Sequence, residues 1–183
     1  MNKKMLTTSL TLGLIAAILS AGVFFVNDLT QKTIADSEEK QLYENFENIF
    51  PGEEYEVLYE GPSDEKDEAI LLVATASKGG DIQGYLYLVA VSGYSSKVTT
   101  LVGISADEGA VVKAIVTKQS ETPGLGTRAA EPEFLNQFEK RLASEELKVK
   151  DNITPVAGAT ISSNAVAGGI NSAFADFTAN YGK

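Results

Sequence analysis

The chain has 183 residues, 44% of them hydrophobic, a length that suits one globular domain with appendages. It contains no cysteine and no histidine, which excludes iron–sulfur clusters, the usual haem and zinc sites, and nucleophiles activated by histidine. The net charge is −10, and without a basic stripe we exclude nucleic acid as a partner. Redox work by such a chain would need an organic cofactor.

The first element in chain order is an apolar segment without charge. It runs from Leu6 to Val26 and spans about 32 Å as a helix, which matches the hydrocarbon core of a bilayer. Lys3 and Lys4 precede it and Asp28 follows, so the positive-inside rule predicts a cytoplasmic N-terminus and an exported remainder. We interpret residues 1–27 as a cytoplasmic tip and a single transmembrane anchor in the cell (inner) membrane.

A cleaved signal peptide is the alternative to an anchor. Ser20-Ala21-Gly22 supplies the small residues that a cleavage site needs. Val23 to Val26 continues the apolar run past that point, which favours an uncleaved anchor.

The next segment, residues 28–68, holds most of the acidic surplus, with fourteen Asp or Glu against three Lys. Apolar residues repeat at helical spacing over residues 29–50, and Pro51-Gly52 ends the predicted helix. The residues of its apolar face are Leu42, Phe46, Ile49 and Phe50. Gly61-Pro62-Ser63 and the acidic cluster Asp64 to Glu68 form a predicted solvated turn. We interpret the segment as an acidic stalk and amphipathic helix, not as a metal site, because its carboxylates lack ligand spacing.

Strands dominate the following part of the chain, where runs rich in β-branched and aromatic residues alternate with turn residues. The predicted strands are Ala69 to Ala76, Ile82 to Ser92, Lys97 to Ser105 and Val111 to Lys118. Gly93-Tyr94 and Asp107-Glu108-Gly109 separate the later strands, and such short connections predict antiparallel hairpins. Tyr85, Tyr87 and Tyr94 are interpreted as residues that pack on the sheet.

Three further elements complete the chain. A helix is predicted from Glu131 to Ala143, a short edge strand from Leu147 to Lys150, and a terminal helix from Ser162 to Tyr181. The apolar stripe of the terminal helix is Val166, Ile170, Phe174 and Phe177. The predicted fold class is α+β, with antiparallel sheets flanked by helices and preceded by the single N-terminal transmembrane helix. Residues 69–183 form the predicted extracytoplasmic domain.

Two short motifs carry the chemistry that this sequence can offer. The first is Ala157-Gly158-Ala159-Thr160-Ile161-Ser162-Ser163, at the start of the last predicted helix, for which Ser162 or Ser163 is the predicted N-cap. Unpaired amides and the positive end of a helix dipole favour phosphate there, small residues leave the backbone accessible, and Thr160 presents a hydroxyl. The alternative interpretation is a turn that only caps a helix.

The second motif is Glu121-Thr122-Pro123-Gly124-Leu125-Gly126, after a predicted strand. Pro123-Gly124 and Gly126 predict a rigid turn that exposes its backbone amides. Leu125 would be an exposed apolar residue between two glycines, as expected if something flat packs on it. A connecting turn without a ligand is again the alternative.

The two motifs, in this order and separation, resemble the FMN-binding domain family, and within it the G subunits of Rnf-type ferredoxin–NAD electron-transport complexes. The C subunit of the sodium-pumping NADH:quinone reductase is a longer relative. The resemblance covers roughly residues 80–175, including Gly93-Tyr94 and Glu133 to Phe138, with the anchor as a further match. Thr154 stands where the family often has Asp, and Ala157 where Ser or Thr is common.

The resemblance implies that Thr160 is joined covalently, through a phosphoester bond, to FMN delivered from FAD by a flavin transferase outside the cytoplasm. The remaining implied cofactor-binding residues are Gly158, Ala159, Ser162, Ser163, Glu121, Thr122, Pro123, Gly124, Leu125 and Gly126. No residue is expected to be catalytic or to bind metal. Lys118 and Arg128, which flank the second motif, are placed near the flavin carbonyls as a hypothesis. For Tyr94, flavin stacking is the alternative to packing on the sheet.

The implied function is that of an electron-carrying subunit between ferredoxin and NAD, coupled to Na⁺ or H⁺ translocation. The other membrane and peripheral subunits of an Rnf-type complex would be its partners, and the isolated chain would carry electrons without being an enzyme by itself. Two alternatives remain open at this point. They are an FMN-binding module of another extracytoplasmic electron-transfer system, and a non-redox membrane-anchored binding protein.

Overall fold

A computed structural model describes the backbone of residues 3–61 and 69–182, and the side chains of 12–25, 37–61 and 69–182. The predicted turn at residues 62–68 lies outside the described residues. Two compact units divide the chain, Met1–Tyr43 and Glu44–Lys183. The helices and strands, in chain order, are α1 Lys3–Ile49, β1 Glu54–Glu60, β2 Ile70–Lys78, β3 Asp81–Ser92, β4 Lys97–Ser105, β5 Val111–Lys118, α2 Pro132–Leu135 and α3 Thr160–Asn180, with 3-10 turns at Gly126–Ala130 and Asn136–Phe138.

The first unit is helical, and α1 begins in it. Its side chains at residues 12–25 are all exposed, and they include large apolar residues such as Ile18 at 62% and Phe24 at 74% exposure. Within the described part of the chain, no helix is both long enough and apolar enough to cross a membrane.

The second unit is built on one five-stranded antiparallel sheet in the order β1-β2-β3-β4-β5, so the α+β fold with an antiparallel sheet is confirmed. Gly79 and Gly80 connect β2 to β3 with φ of 59° and 93°, the left-handed geometry of a tight hairpin. The predicted strands Lys97 to Ser105 and Val111 to Lys118 have the bounds of β4 and β5. The predicted turn at Asp107-Glu108-Gly109 joins them, with φ of 63° at Gly109.

Helix α3 covers one face of the sheet, where it packs on β3 and β4. The predicted apolar stripe is confirmed, since Val166, Ile170, Phe174 and Phe177 are all at most 4% exposed. On the opposite face, Ile49 and Phe50 pack where the sheet carries Gly103 and Gly84, and a Cβ at either glycine would overlap them. The glycines therefore make room for the residues that end the amphipathic helix, and Phe46, Ile49 and Phe50 are buried as predicted.

The predicted helix from Glu131 to Ala143 is wrong beyond its first turns. The chain forms only α2 and the following 3-10 turn, and Lys140 has φ of 63°. The amide of Lys140 donates to the Val111 carbonyl, and the amide of Val111 donates to the Arg141 carbonyl, each at 2.8 Å. Pairing with the start of β5 thus replaces helical hydrogen bonds in this segment.

The predicted strand from Leu147 to Lys150 is also wrong. The described residues of this stretch form one isolated bridge, between Val149 and Ile153, because the chain turns back at Lys150, whose φ is 75°. The backbone of Leu147 pairs with the Asn171 side chain and not with a neighbouring strand. Asn171 accepts from the Leu147 amide at 3.0 Å and donates to the Leu147 carbonyl at 2.9 Å. Strand β1, by contrast, was not predicted, and it pairs with β2 through residues such as Tyr55 and Ala76.

Candidate functional site

The start of α3 places Thr160 at the first helical position. The predicted N-cap at Ser162 or Ser163 is wrong, since Ala159 is the cap residue and no side chain caps this end. The first helical hydrogen bond runs from the Ser163 amide to the Ala159 carbonyl at 2.9 Å, so the amides of Thr160, Ile161 and Ser162 precede the helical ladder. Gly158 has φ of 77°, a conformation that glycine adopts without strain.

The three hydroxyls at this helix start differ in their surroundings. The Ser163 hydroxyl is fully buried, donates to the Ala159 carbonyl at 2.9 Å and accepts from the Val156 amide at 3.0 Å. The Ser162 hydroxyl is 1% exposed and donates to Glu121 Oε2 at 2.5 Å. The Thr160 side chain is partly exposed, and its hydroxyl takes part in no hydrogen bond within the described part of the chain.

The second motif folds into a compact turn beside Gly158. The Leu125 amide donates to the Thr122 carbonyl at 3.1 Å, and the Gly124 amide donates to the Thr127 hydroxyl at 3.0 Å. These two amides are therefore used inside the turn, contrary to the predicted exposure of its backbone. Leu125 is exposed as predicted, at 46%, and a Cβ at Gly158 would lie 3.2 Å from its Cδ2.

Glu121 points into the protein and connects three segments. Its side chain is buried and accepts from the amides of Tyr94, Ser95 and Ser96 at 3.2, 2.9 and 3.1 Å, besides the Ser162 hydroxyl. Burial by itself would raise the pKa of this carboxyl, but these four hydrogen bonds outweigh burial and hold the pKa below its usual range. Glu121 is therefore an ionised, fully engaged carboxylate.

A cleft of about 590 Å³ brings the two motifs together. Its lining residues are Tyr94, Glu121, Thr122, Leu125, Gly126, Gly158, Ala159, Thr160, Ile161 and Ser162. Pro123, Gly124 and Ser163, which were also predicted to bind a cofactor, are not among them. Arg128 lies outside this lining as well, paired with Glu131 at 3.7 Å, and Lys118 is likewise absent from it.

Two residues of this cleft, Tyr94 and Ile161, were not among the predicted cofactor-binding residues. Tyr94 is 72% exposed, so sheet packing is wrong for it and flavin stacking, the alternative, stays a prediction, whereas Tyr85 and Tyr87 do pack against the core. The signal was its position in a turn after Gly93, where a ring has no strand neighbours. Ile161 is 51% exposed directly after Thr160, an unusual position for a large apolar side chain.

Comparisons with known proteins agree on one family. A sequence profile described as the FMN-binding domain matches residues 93–175, and one described as the RnfG N-terminal region matches residues 1–49. The G subunit of the Na(+)-translocating ferredoxin:NAD(+) oxidoreductase complex of Acetobacterium woodii is 32% identical over 84% of this chain and 77% of its own length. The G subunit of the ion-translocating oxidoreductase complex of Methanosarcina acetivorans is 28% identical over 94% of each chain.

Among solved structures, NqrC of Shewanella oneidensis superposes with a TM-score of 0.44 at 19% identity, covering 58% of this chain and 54% of that one.

Proposed function

The chain belongs to the G-subunit family of Rnf-type ion-translocating oxidoreductase complexes and contains an FMN-binding domain, and from this premise we propose that it carries electrons through an FMN bound covalently to Thr160. The electrons pass between ferredoxin and NAD, coupled to translocation of Na⁺ or H⁺, in the complex that it forms with the other Rnf subunits. The coupling is inferred from the relatives, which are subunits of ion-translocating oxidoreductase complexes. The site of the flavin is inferred from the cleft around Thr160.

The single observation that carries the proposal is the state of the Thr160 hydroxyl. It lies in a cleft, partly exposed and without a hydrogen-bond partner in the described part of the chain, whereas Ser162 and Ser163 use their hydroxyls internally. A modifying enzyme can therefore reach Thr160 and has no competing hydroxyl to choose at this helix start. The bond forms between Thr160 Oγ1 and the flavin phosphate of FAD, while AMP leaves and the hydroxyl proton is released.

Two features of the cleft would suit FMN: the leading backbone amides of α3 and the exposed apolar side chains around Thr160. A phosphodiester keeps one negative charge, which the leading amides of α3 and its dipole stabilise by about 0.3–1 kcal/mol. Tyr94, Leu125 and Ile161 expose apolar surface around Thr160, on which a flat ring system can pack. Bound FMN would supply the redox chemistry, and the protein would hold and orient it.

We also propose that residues 1–27 anchor the chain in the membrane and hold the FMN-binding domain outside the cytoplasm. Leu6 to Val26 carries no charge and has the length of a bilayer core. The large apolar residues described in this stretch, Ile18 and Phe24 among them, are exposed, as lipid-facing residues would be. A flavin transferase on the same side of the membrane would complete the maturation.

Intact mass spectrometry tests the covalent site. The full chain, co-expressed with a flavin transferase, should gain the mass of one FMN less one water. Thr160→Ala should remove that gain entirely, and Thr160→Ser should retain it because a hydroxyl remains. Thr178→Ala, an exposed threonine at the other end of α3, is the control and should load fully. A Thr160→Ala chain that still carries covalent flavin would contradict the assignment.

Membrane vesicles test the electron-transfer role. Vesicles from cells that lack this chain should lose NAD reduction by reduced ferredoxin and the associated ion uptake. The wild-type chain should restore both activities, and Thr160→Ala should restore neither. Restoration by the Thr160→Ala chain would contradict electron transfer through this flavin.

A further inference from the structure

We propose that Glu121 is a positioning residue, which sets the arrangement of Thr160 and of the cleft walls before any flavin is attached. This inference rests on the proposed function, because it assigns the residue that prepares the acceptor hydroxyl. Glu121 itself does not touch the reacting atoms in this role. It acts through Ser162 and through the turn that carries Tyr94.

One carboxylate, that of Glu121, is hydrogen-bonded to both walls of the cleft. Oε1 accepts from the amides of Ser95 and Ser96 at 2.9 and 3.1 Å. Oε2 accepts from the Tyr94 amide at 3.2 Å and from the Ser162 hydroxyl at 2.5 Å. One side chain thus joins the turn between β3 and β4 to the first turn of α3.

The surroundings of Glu121 are fitted closely to its carboxylate. A Cβ at Gly93 would lie 2.7 Å from Oε1, and a Cβ at Gly126 would lie 2.8 Å from Oε2. The Gln119 side chain also accepts from the Glu121 backbone amide, at 2.7 Å. The absence of a Cβ at these two glycines makes room for the carboxylate oxygens, and the Gln119 bond holds the backbone of Glu121.

The hydrogen bonds of Glu121 also constrain the acceptor residue, Thr160. Ser162 follows Thr160 by two residues in the same helical turn, so the bond from Ser162 to Glu121 fixes the direction in which the helix starts. The exposed ring of Tyr94 is carried by the turn whose amides Glu121 holds. Loss of the carboxylate would therefore release the acceptor helix and the opposite wall together.

Glu121→Gln is the direct test, because glutamine keeps the shape but replaces one accepting oxygen by a donor. That NH₂ would face the Tyr94 amide, which is also a donor. The unloaded full chain should be incubated with flavin transferase and FAD, and loading followed by intact mass. We expect loading about tenfold slower than in wild type, with faster hydrogen exchange at residues 94–96 and 160–162 before loading.

Asn171→Ala is the matched control. Asn171 also lies on α3 and also makes two hydrogen bonds with distant backbone, but to Leu147 and away from the cleft. It should lower the melting temperature while loading proceeds at the wild-type rate. A Glu121→Gln chain that loads as fast as this control, with unchanged exchange at both segments, would overturn the positioning role.

A second variant tests the same positioning role if Glu121→Gln fails to fold. Ser162→Ala removes only the link to the helix and leaves the carboxylate with its three amide partners. We expect slower loading and faster exchange at residues 160–162, with residues 94–96 unchanged. Wild-type loading and exchange in this variant would overturn the inference. A wild-type chain that never gains FMN mass would instead overturn the proposed function, so the two failures are distinguishable.

Discussion

The two ends of α3 use aromatic and polar residues in opposite ways. At its C-terminal end, Tyr85 stacks on Tyr181 with ring centroids 4.3 Å apart and meets Phe177 edge-on at 5.6 Å. At its N-terminal end, Tyr94 and Ile161 are left exposed around a cleft. One end of this helix is therefore covered by aromatic packing, whereas its other end lines a cleft and is held by hydrogen bonds.

Buried ionisable groups show the same contrast. Tyr87 is fully buried, and its hydroxyl donates one hydrogen bond, at 3.2 Å, to Asp176 near the C-terminal end of α3. Glu121 near the N-terminal end receives four hydrogen bonds from two other segments. We therefore expect changes at the C-terminal end to affect stability alone, and changes at the N-terminal end to affect flavin loading as well.

The largest expected effect on stability comes from Phe177→Ala. Phe177 is 4% exposed, and truncation of a buried phenylalanine costs about 3–5 kcal/mol. Thermal unfolding of the full chain in detergent should show this loss. Loading of the folded protein should be unchanged, because Thr160 lies about 25 Å away along the helix. If the Phe177→Ala chain were well folded but did not load flavin, the contrast between the two ends of α3 would be contradicted.

A smaller effect on stability, but a selective one on loading, is expected for Gly158→Ala. At φ of 77° alanine costs about 1–2 kcal/mol, and its Cβ would press on Leu125. Gly52→Ala is the matched control, since Gly52 has φ of 74° and nothing within 4 Å of an added Cβ. Both variants should lose similar stability, and slow loading should appear only in Gly158→Ala. Equal loading of the two would contradict the role of this turn.

The smallest effect is expected for Tyr87→Phe, about 0.5–1.5 kcal/mol at neutral pH from the lost hydrogen bond. Burial first, and then the charge of Asp176, raise the pKa of Tyr87 above its ordinary value of 10.0. Its contribution is therefore complete below about pH 10 and is lost as pH rises towards the folded pKa, at up to about 1.4 kcal/mol per pH unit. Tyr87→Phe should flatten this alkaline limb in unfolding measurements, and an unchanged limb would contradict the burial of Tyr87.

Glu121 should affect stability at acid pH, whereas Tyr87 affects it at alkaline pH. Its folded pKa lies below the ordinary value of 4.5, so its contribution is present above that pH and is lost as pH falls through the folded pKa. The Glu121→Gln chain should therefore show a flatter acid limb and an unchanged alkaline limb. The same unfolding measurements, extended to low pH, check this.

Local patterns predicted much of the fold. Strands β4 and β5 and the stripe of Val166, Ile170, Phe174 and Phe177 follow from residue type and spacing, because each repeat matches the period of its own element. The segment after α2 could not be predicted in this way. Its apolar residues have helical spacing, but its backbone pairs with Val111 and Gly109, and such partners are invisible to a local pattern.

For the site, the sequence by itself predicted a helix start with a hydroxyl at Thr160 and a turn from Glu121 to Gly126, which are local properties, and the family resemblance of these two motifs pointed to a flavin. Only the tertiary structure decided which side chains face the cleft. In the folded chain the Ser162 hydroxyl and the Glu121 carboxylate are buried against each other, whereas the Tyr94 ring is exposed at the cleft. The physical reason is that a buried carboxylate needs hydrogen-bond donors from distant segments, and the fold alone brings the amides of Tyr94 to Ser96 to it.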